Sequence, residues 1–166
     1  MLKPVYRHAL FSKLGTLYNN EDVCNASSDI PHAGKQPLPQ FNAKILVVED
    51  FIPNQQIITD ILELMGCYEI TCVTDGIKAI NELEKNAQEY DLVFMDYQMP
   101  EMDGVEATKT IRSKSWGKEL KIIAMTAAAV EGDKQLCLDA GMDDYIEKPV
   151  RIKKVSDMME EYLGKE

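Results

Sequence analysis

The sequence predicts an α/β domain built on a five-stranded parallel sheet with helices on both faces. Two observations carry that expectation. From residue 44 onward, short β-branched and apolar runs alternate with longer stretches whose apolar residues recur at helical spacing. Strands that alternate with helices in this way make parallel sheets, and right-handed crossovers leave few ways to wind them. The second observation is where the runs stop. Glu49-Asp50, Asp96 and Thr126 each stand at the end of an apolar run, and Lys148 follows the last one. In an open parallel sheet the carboxyl ends of the strands share one edge, which is where such folds bind ligands.

The elements follow in order. Ile45-Leu46-Val47-Val48 is the first strand, ending at Glu49-Asp50. Ile57, Ile58, Ile61, Leu62 and Met65 fall on one helical face, and Gly66 supplies the stop. Tyr68 to Val73 alternates loosely, as an edge strand does. Asp75 is placed to cap a helix running through Ile77, Ile80 and Leu83. Leu92-Val93-Phe94-Met95 is an unbroken apolar run, the signature of a strand covered on both faces, and it runs straight into Asp96. Pro100 and Asp103-Gly104 mark a loop, and a helix carrying Val105, Thr108 and Ile111 follows. Ile122-Ile123-Ala124-Met125 is the fourth strand and ends at Thr126. A helix over about 130–140 closes at Gly141, and Tyr145-Ile146 is a short last strand. After Lys148-Pro149 comes a final helix with Ile152, Val155, Met158, Met159 and Tyr162 inward.

Ahead of this domain the pattern changes. Residues 1–18 read as a helix after Pro4, and residues 19–42 lose periodicity among Pro31, Gly34, Pro37 and Pro39, the composition of a linker. Residues 43–166 are the predicted domain.

Composition excludes several function classes. A net charge of −10 over 166 residues is a poor match to a nucleic-acid surface, which needs clustered Lys and Arg. No stretch is long and apolar enough to span a membrane, and no secretory signal opens the chain. The four cysteines lack metal-ligand spacing and read as small core residues of a reducing, cytoplasmic protein.

The residues at the strand ends suggest a chemistry. Glu49, Asp50 and Asp96 in one crevice repel one another unless a cation joins them, and an all-oxygen set with room for water suits Mg2+. With its neighbours neutralised, Asp96 can serve as a carboxylate nucleophile toward a phosphoryl group. Lys148 supplies a positive partner for the developing charge and Thr126 a hydroxyl for a phosphate oxygen. No glycine-rich phosphate loop is present, so nucleotide binding is not indicated.

Taken together, Val47-Val48-Glu49-Asp50, Met95-Asp96-Tyr97-Gln98-Met99-Pro100-Glu101-Met102-Asp103-Gly104, Met125-Thr126-Ala127 and Ala140-Gly141-Met142-Asp143-Asp144-Tyr145-Ile146-Glu147-Lys148-Pro149 resemble the receiver domain of two-component response regulators. The resemblance covers residues 44 to about 164. It implies a flavodoxin-like strand order 2-1-3-4-5, the order of the chemotaxis receiver. It implies that Asp96 accepts phosphate from a histidine kinase or a histidine-containing phosphotransfer protein, as one step of a relay and not as a multiple-turnover enzyme. Asp50, Asp96 and the backbone carbonyl of Gln98 would hold Mg2+ (or Mn2+), with Glu49 acting through water. The Thr126 hydroxyl, the Ala127 amide and Lys148 would meet the phosphoryl oxygens, and Tyr145 would be the switch aromatic. The bond before Pro149 would be cis, in keeping with the rule that cis peptides belong to proline. A monomer or weak dimer without direct membrane contact is expected, inside a larger parent that can itself be anchored to the inner membrane.

Two departures from the family pattern stand out: Glu49-Asp50 where many members have two aspartates, a variation frequent in receivers fused to sensor kinases, and Phe51 where a small polar residue often sits. Near the amino terminus, Lys3-Pro4-Val5 and the Leu10-Phe11 helix echo Lys148-Pro149-Val150 and the helix after it. Residues 1–18 thus resemble the tail helix of a preceding receiver, as in a hybrid sensor kinase. Two rival readings remain. A haloacid-dehalogenase-like phosphohydrolase would need a second acid where Gln98 stands, and a receiver that docks without phosphorylation would not need the full acidic set.

Overall fold

Five short apolar runs form the strands of the computed structural model, which describes residues 38–127 and 131–164. The chain runs β1 (Lys44–Val48), α1 (Ile52–Leu64), β2 (Glu69–Val73), α2 (Gly76–Asn86), β3 (Leu92–Asp96), α3 (Gly104–Ser113), β4 (Ile122–Thr126), α4 (Glu131–Asp139), β5 (Asp144–Glu147) and α5 (Ile152–Leu163). All pairings are parallel and the strand order is 2-1-3-4-5. The expected tail helix at 1–18 and most of the expected linker lie outside the described residues. Among the described residues no helix is long and apolar enough to cross a membrane.

Alternation along the strands sorts the core into two layers. Ile45, Val47, Leu92, Phe94, Ile123, Met125 and Ile146 face α1 and α5, whose Ile58, Ile61, Leu62, Val155, Met158 and Met159 close that side. Leu46, Val48, Val93, Met95, Ile122 and Ala124 face Ala79 and Leu83 of α2, Ala107 and Ile111 of α3 and Cys137 of α4. The central strands β1, β3 and β4 are buried nearly end to end, whereas β2 at the edge is not. Each fully buried large apolar side chain contributes about 1.5–3 kcal/mol.

Local signals set the helix ends. Gly66 adopts φ 81°, and the amides of Gly66 and Cys67 donate to Glu63 O and Leu62 O, a Schellman close to α1. Asp75 caps α2 by accepting from Lys78 N at 2.8 Å, and Asp103 caps α3 by accepting from Glu106 N at 2.8 Å.

Four positions depart from the sequence reading. Ile57 and Ile77, assigned to inward helical faces, are 48% and 45% exposed, because each stands at the rim of its helix's buried stripe, where solvent still reaches. Cys72 lies exposed on the edge strand, while Cys67 and Cys137 are buried thiols. Phe41 falls within the expected linker, yet it packs against the α1–α5 layer and its amide donates to Met65 O at 2.7 Å.

At the amino-terminal edge of the sheet, Arg112 of α3 gathers several chain segments. Its Nε donates to Gly141 O at 2.7 Å, Nη1 to the carbonyls of Gly117 and Leu120, and Nη2 to Asp143 Oδ2 at 2.9 Å. Asp143 Oδ2 also accepts from Ile122 N, and its Oδ1 pairs with Lys121. The planar fork of the guanidinium makes such multiple anchoring available to arginine alone.

Candidate functional site

The opposite edge of the sheet carries the reactive residues. Asp96 is the last residue of β3 and shares the parity of Leu92 and Phe94, so its side chain rises on the α1 side of the sheet. Glu49 follows β1 with the same parity beside it, because Val48 is in register with Met95. Both are almost wholly buried, at 1% and 4% exposure, while Asp50 is exposed. One carboxylate oxygen from each of Glu49, Asp50 and Asp96 lies within 4.8 Å of the others.

Lys148, on the turn after β5, closes the group from the far side. Its Nζ stands 2.6 Å from Glu49 Oε2 and 2.7 Å from Asp96 Oδ2. The Lys148–Pro149 peptide bond is cis. Asp96 Oδ1 accepts from the Gln98 amide at 3.2 Å. Burial pushes the Asp96 carboxyl up to about 6 from its usual 3.8, against the opposing pull of the Lys148 ammonium, and the nearby Glu49 charge adds to the rise. Glu49 Oε1 accepts from Asn54 Nδ2 at 3.0 Å and from the Phe51 amide at 3.3 Å, whereas Oε2 has the charge contact with Lys148 but no aligned hydrogen bond.

These groups line a cleft of about 280 Å3 walled by Glu49, Asp50, Phe51, Asn54, Asp96, Tyr97, Gln98, Ala127 and Lys148. Of the residues singled out in the sequence, Glu49, Asp50, Asp96, Gln98, Ala127 and Lys148 therefore come together. Thr126 and Tyr145 do not line the cleft. Thr126 is buried on the other parity of β4, and Tyr145 shares that face from β5, its ring packed against the α2–α4 layer. Lys134 of α4 holds its Nζ 4.5 Å from the centre of that ring and 3.4 Å from Glu147.

Backbone geometry sharpens the site. The loop after Asp96 turns back through Glu101 at φ 66°, a conformation that costs a non-glycine residue energy. That turn brings Gly104 against the strand, where a Cβ would lie 2.2 Å from the carbonyl oxygen of Asp96. Only glycine fits there. Asn54 and Tyr97 are the cleft residues that sequence reasoning missed. The available signal for Asn54 was a polar amide in the first turn of a helix that starts two residues after a pair of acids.

An all-oxygen set with two buried carboxylates is a fit for Mg2+. The three carboxylates and one ammonium leave negative charge uncompensated at neutral pH, and Glu49 Oε2 is a buried oxygen short of donors.

Residues 45–160 match the response regulator receiver domain family. "Probable histidine kinase 1" of rice is 36% identical over 90% of this chain and 18% of its own length. The osmosensing histidine protein kinase SLN1 of Saccharomyces cerevisiae is 35% identical over 86% of this chain and 12% of its own. This chain thus spans under a fifth of either relative. Among solved structures, the receiver domain of a Pseudomonas aeruginosa sensor histidine kinase, with a magnesium ion coordinated in its active-site cleft, superposes with TM-score 0.68 at 38% identity over 75% of this chain and all of that one. The receiver domain of the yeast response regulator Ssk1, co-crystallised with the histidine phosphotransfer protein Ypd1, gives TM-score 0.66 at 29% identity, covering 76% of this chain and 91% of that one. The chain belongs to the response regulator receiver family and carries a receiver domain of a two-component phosphorelay.

Proposed function

We propose that Asp96 is the phosphoacceptor of this receiver, taking the phosphoryl group of a phosphohistidine in a Mg2+-dependent reaction. The observation that carries this reading is the convergence of Glu49, Asp50 and Asp96 on one point, with Lys148 bridging Glu49 and Asp96. Asp50, Asp96 and the Gln98 carbonyl would hold the ion, with Glu49 reaching it through water. When bound, Mg2+ supplies charge neutralisation for the incoming phosphoryl oxygens and the acidic cluster. An Asp96 carboxylate oxygen forms the new bond to phosphorus while the phosphorus–nitrogen bond of the donor breaks, and the imidazole nitrogen keeps the electron pair. Lys148 neutralises charge on the group in transit, and the amide of Ala127, a residue of the cleft wall, would donate to one of its oxygens.

The phosphohistidine would belong to a histidine kinase or a histidine-containing phosphotransfer protein. The product is an acyl phosphate; passing it onward or hydrolysing it returns the Asp96 carboxylate, so Asp96 carries one phosphoryl group per event as a relay step and not as a multiple-turnover enzyme. Thr126 and Tyr145, on the shared face of β4 and β5, would convert phosphate occupancy into a change at α4. Incubation with acetyl phosphate and Mg2+ tests the assignment: intact mass should show one added phosphoryl group, absent from Asp96→Asn. Equal labelling of that variant would place the acceptor elsewhere.

A further inference from the structure

Glu49 is one methylene longer than the aspartate many receivers carry at this place, and it is 1% exposed. A longer side chain has an extra rotor to fix, and a buried carboxylate needs donors for both oxygens. The structure meets the two needs differently for each oxygen. Oε1 takes the Asn54 side-chain amide at 3.0 Å and the Phe51 backbone amide at 3.3 Å. Oε2 faces Lys148 at 2.6 Å and has no aligned hydrogen bond. Gln55 Nε2 also donates to the Glu49 carbonyl at 2.6 Å, so the backbone of this residue is tied to the same helical turn. Asn54 is the third residue of α1, whose amino end has no side-chain cap of its own. A carboxylate at that end is favoured by the helix dipole as well as by the two donors.

We propose that Asn54 is a positioning residue for the cation site: it pins Glu49 Oε1 and thereby aims Oε2 into the cleft. The inference rests on the Mg2+-dependent reading above and adds a residue to it. Asn54 itself lines the cleft, but its side-chain amide is engaged with Glu49 Oε1, so it acts through that carboxylate. Without its amide, Oε1 keeps one longer bond from Phe51, and the added methylene lets the carboxylate turn. The two oxygens then compete for Lys148, and the oxygen that serves the cation is no longer held in one place. Partners of this kind, which orient a metal-binding group from behind, typically change metal affinity about 10–100-fold when removed. Glu49 would act through water and not directly, so the lower end of that span is expected.

The test is a double-mutant cycle read by Mg2+ titration with isothermal calorimetry on the unphosphorylated full chain. Asn54→Ala should weaken Mg2+ binding about tenfold. Its thermal midpoint without metal should stay close to that of the wild type, since Asn54 sits at the half-exposed start of α1. In a Glu49→Asp background the shorter carboxylate retracts from Asn54, so adding Asn54→Ala should change affinity less than twofold. A merely structural loss at the start of α1 would weaken both backgrounds alike, and that outcome overturns the proposal. Wild-type affinity in Asn54→Ala overturns it too, while leaving the cation reading intact. Absence of Mg2+ binding by the wild type would instead remove the cation reading and this inference with it. Should Asn54→Ala fold poorly, Asn54→Ser keeps a small polar residue suited to a first helical turn, and the same cycle applies.

Discussion

Lys148 Nζ lies 2.7 Å from Asp96 Oδ2, although the two residues belong to the ends of β5 and β3 with β4 between them. The contact spans a strand because the chain past β5 turns back over the carboxyl edge of the sheet. It sets a single ammonium between two buried acids, Asp96 and Glu49. The cleft is therefore held together electrostatically before any cation or phosphate arrives.

Removing that ammonium should be costly. Breaking one partner of a buried ion pair leaves an uncompensated charge worth about 3–5 kcal/mol. Lys148→Met is expected to lower the urea midpoint accordingly, and millimolar Mg2+ should recover part of the loss by neutralising the same carboxylates. Urea unfolding with and without Mg2+ measures both effects. A variant as stable as the wild type would mean that solvent reaches the pair and screens it.

The raised Asp96 carboxyl makes a prediction with a definite sign. Its value of about 6 in the folded protein exceeds the usual 3.8, so the folded state favours the protonated form. The contribution to stability is fully present below about pH 4, and it is lost as pH climbs through about 6. Asp96→Asn removes the buried charge and should be more stable than the wild type at about pH 7.5 by up to ~3 kcal/mol, from ~1.4 kcal/mol per unit. The gap should close as the pH falls toward the ordinary carboxylate range. Denaturant melts of both proteins across that span check it; a gap of constant size would trace the effect to something other than titration.

Gly104→Ala should be severe despite its small size. The new methyl would meet the Asp96 carbonyl oxygen at 2.2 Å, a backbone contact that cannot rotate away. Overpacking of this kind costs about 1–3 kcal/mol or more. The displaced strand end should also slow phosphate uptake at Asp96, measured as the rate of mass gain with acetyl phosphate. Unchanged rate and stability would show that α3 slides without moving β3.

A switch coupled through β4 and β5 would run between Thr126 and Tyr145. Thr126 and Tyr145 share a face of adjacent strands, and Lys134 caps the tyrosine ring from α4. Thr126→Ala should still accept phosphate on Asp96 yet lose much of the phosphate-dependent change at Tyr145 and α4. Amide chemical shifts with and without beryllofluoride report this directly. Shifts as large as those of the wild type would mean that the coupling runs by another route.

Much of this was legible in the sequence, for a physical reason. Strands buried on both faces, such as Leu92 to Met95, must be continuous apolar runs, so their ends are sharp and the acids after them stand out. Periodicity was less informative at the rim of a helical stripe, as at Ile57 and Ile77, because an apolar residue costs little when exposed. Phe41 was hidden among linker residues because a single docking side chain has no period. Asn54 was hidden because an amide in a first helical turn is common, and only its distance to Glu49 distinguishes it. The sharing of one ammonium by Glu49 and Asp96 depends on how the chain folds back after β5, which no local pattern encodes.

The Arg112 anchor has a mechanical consequence. It fastens the end of α3 to the segments entering β4 and β5, far from the cleft. A plank bolted at one end can only swing at the other. With the entry segments of β4 and β5 held there, a tug at Thr126 would be taken up by tilting about that bolt, and displacement would grow with distance from it. The largest excursion would then fall on the upper end of β4 and the start of α4, because α4 runs from that end back to Gly141, whose carbonyl Arg112 itself holds. The molecule's moving part would thereby be chosen by where it is not allowed to move.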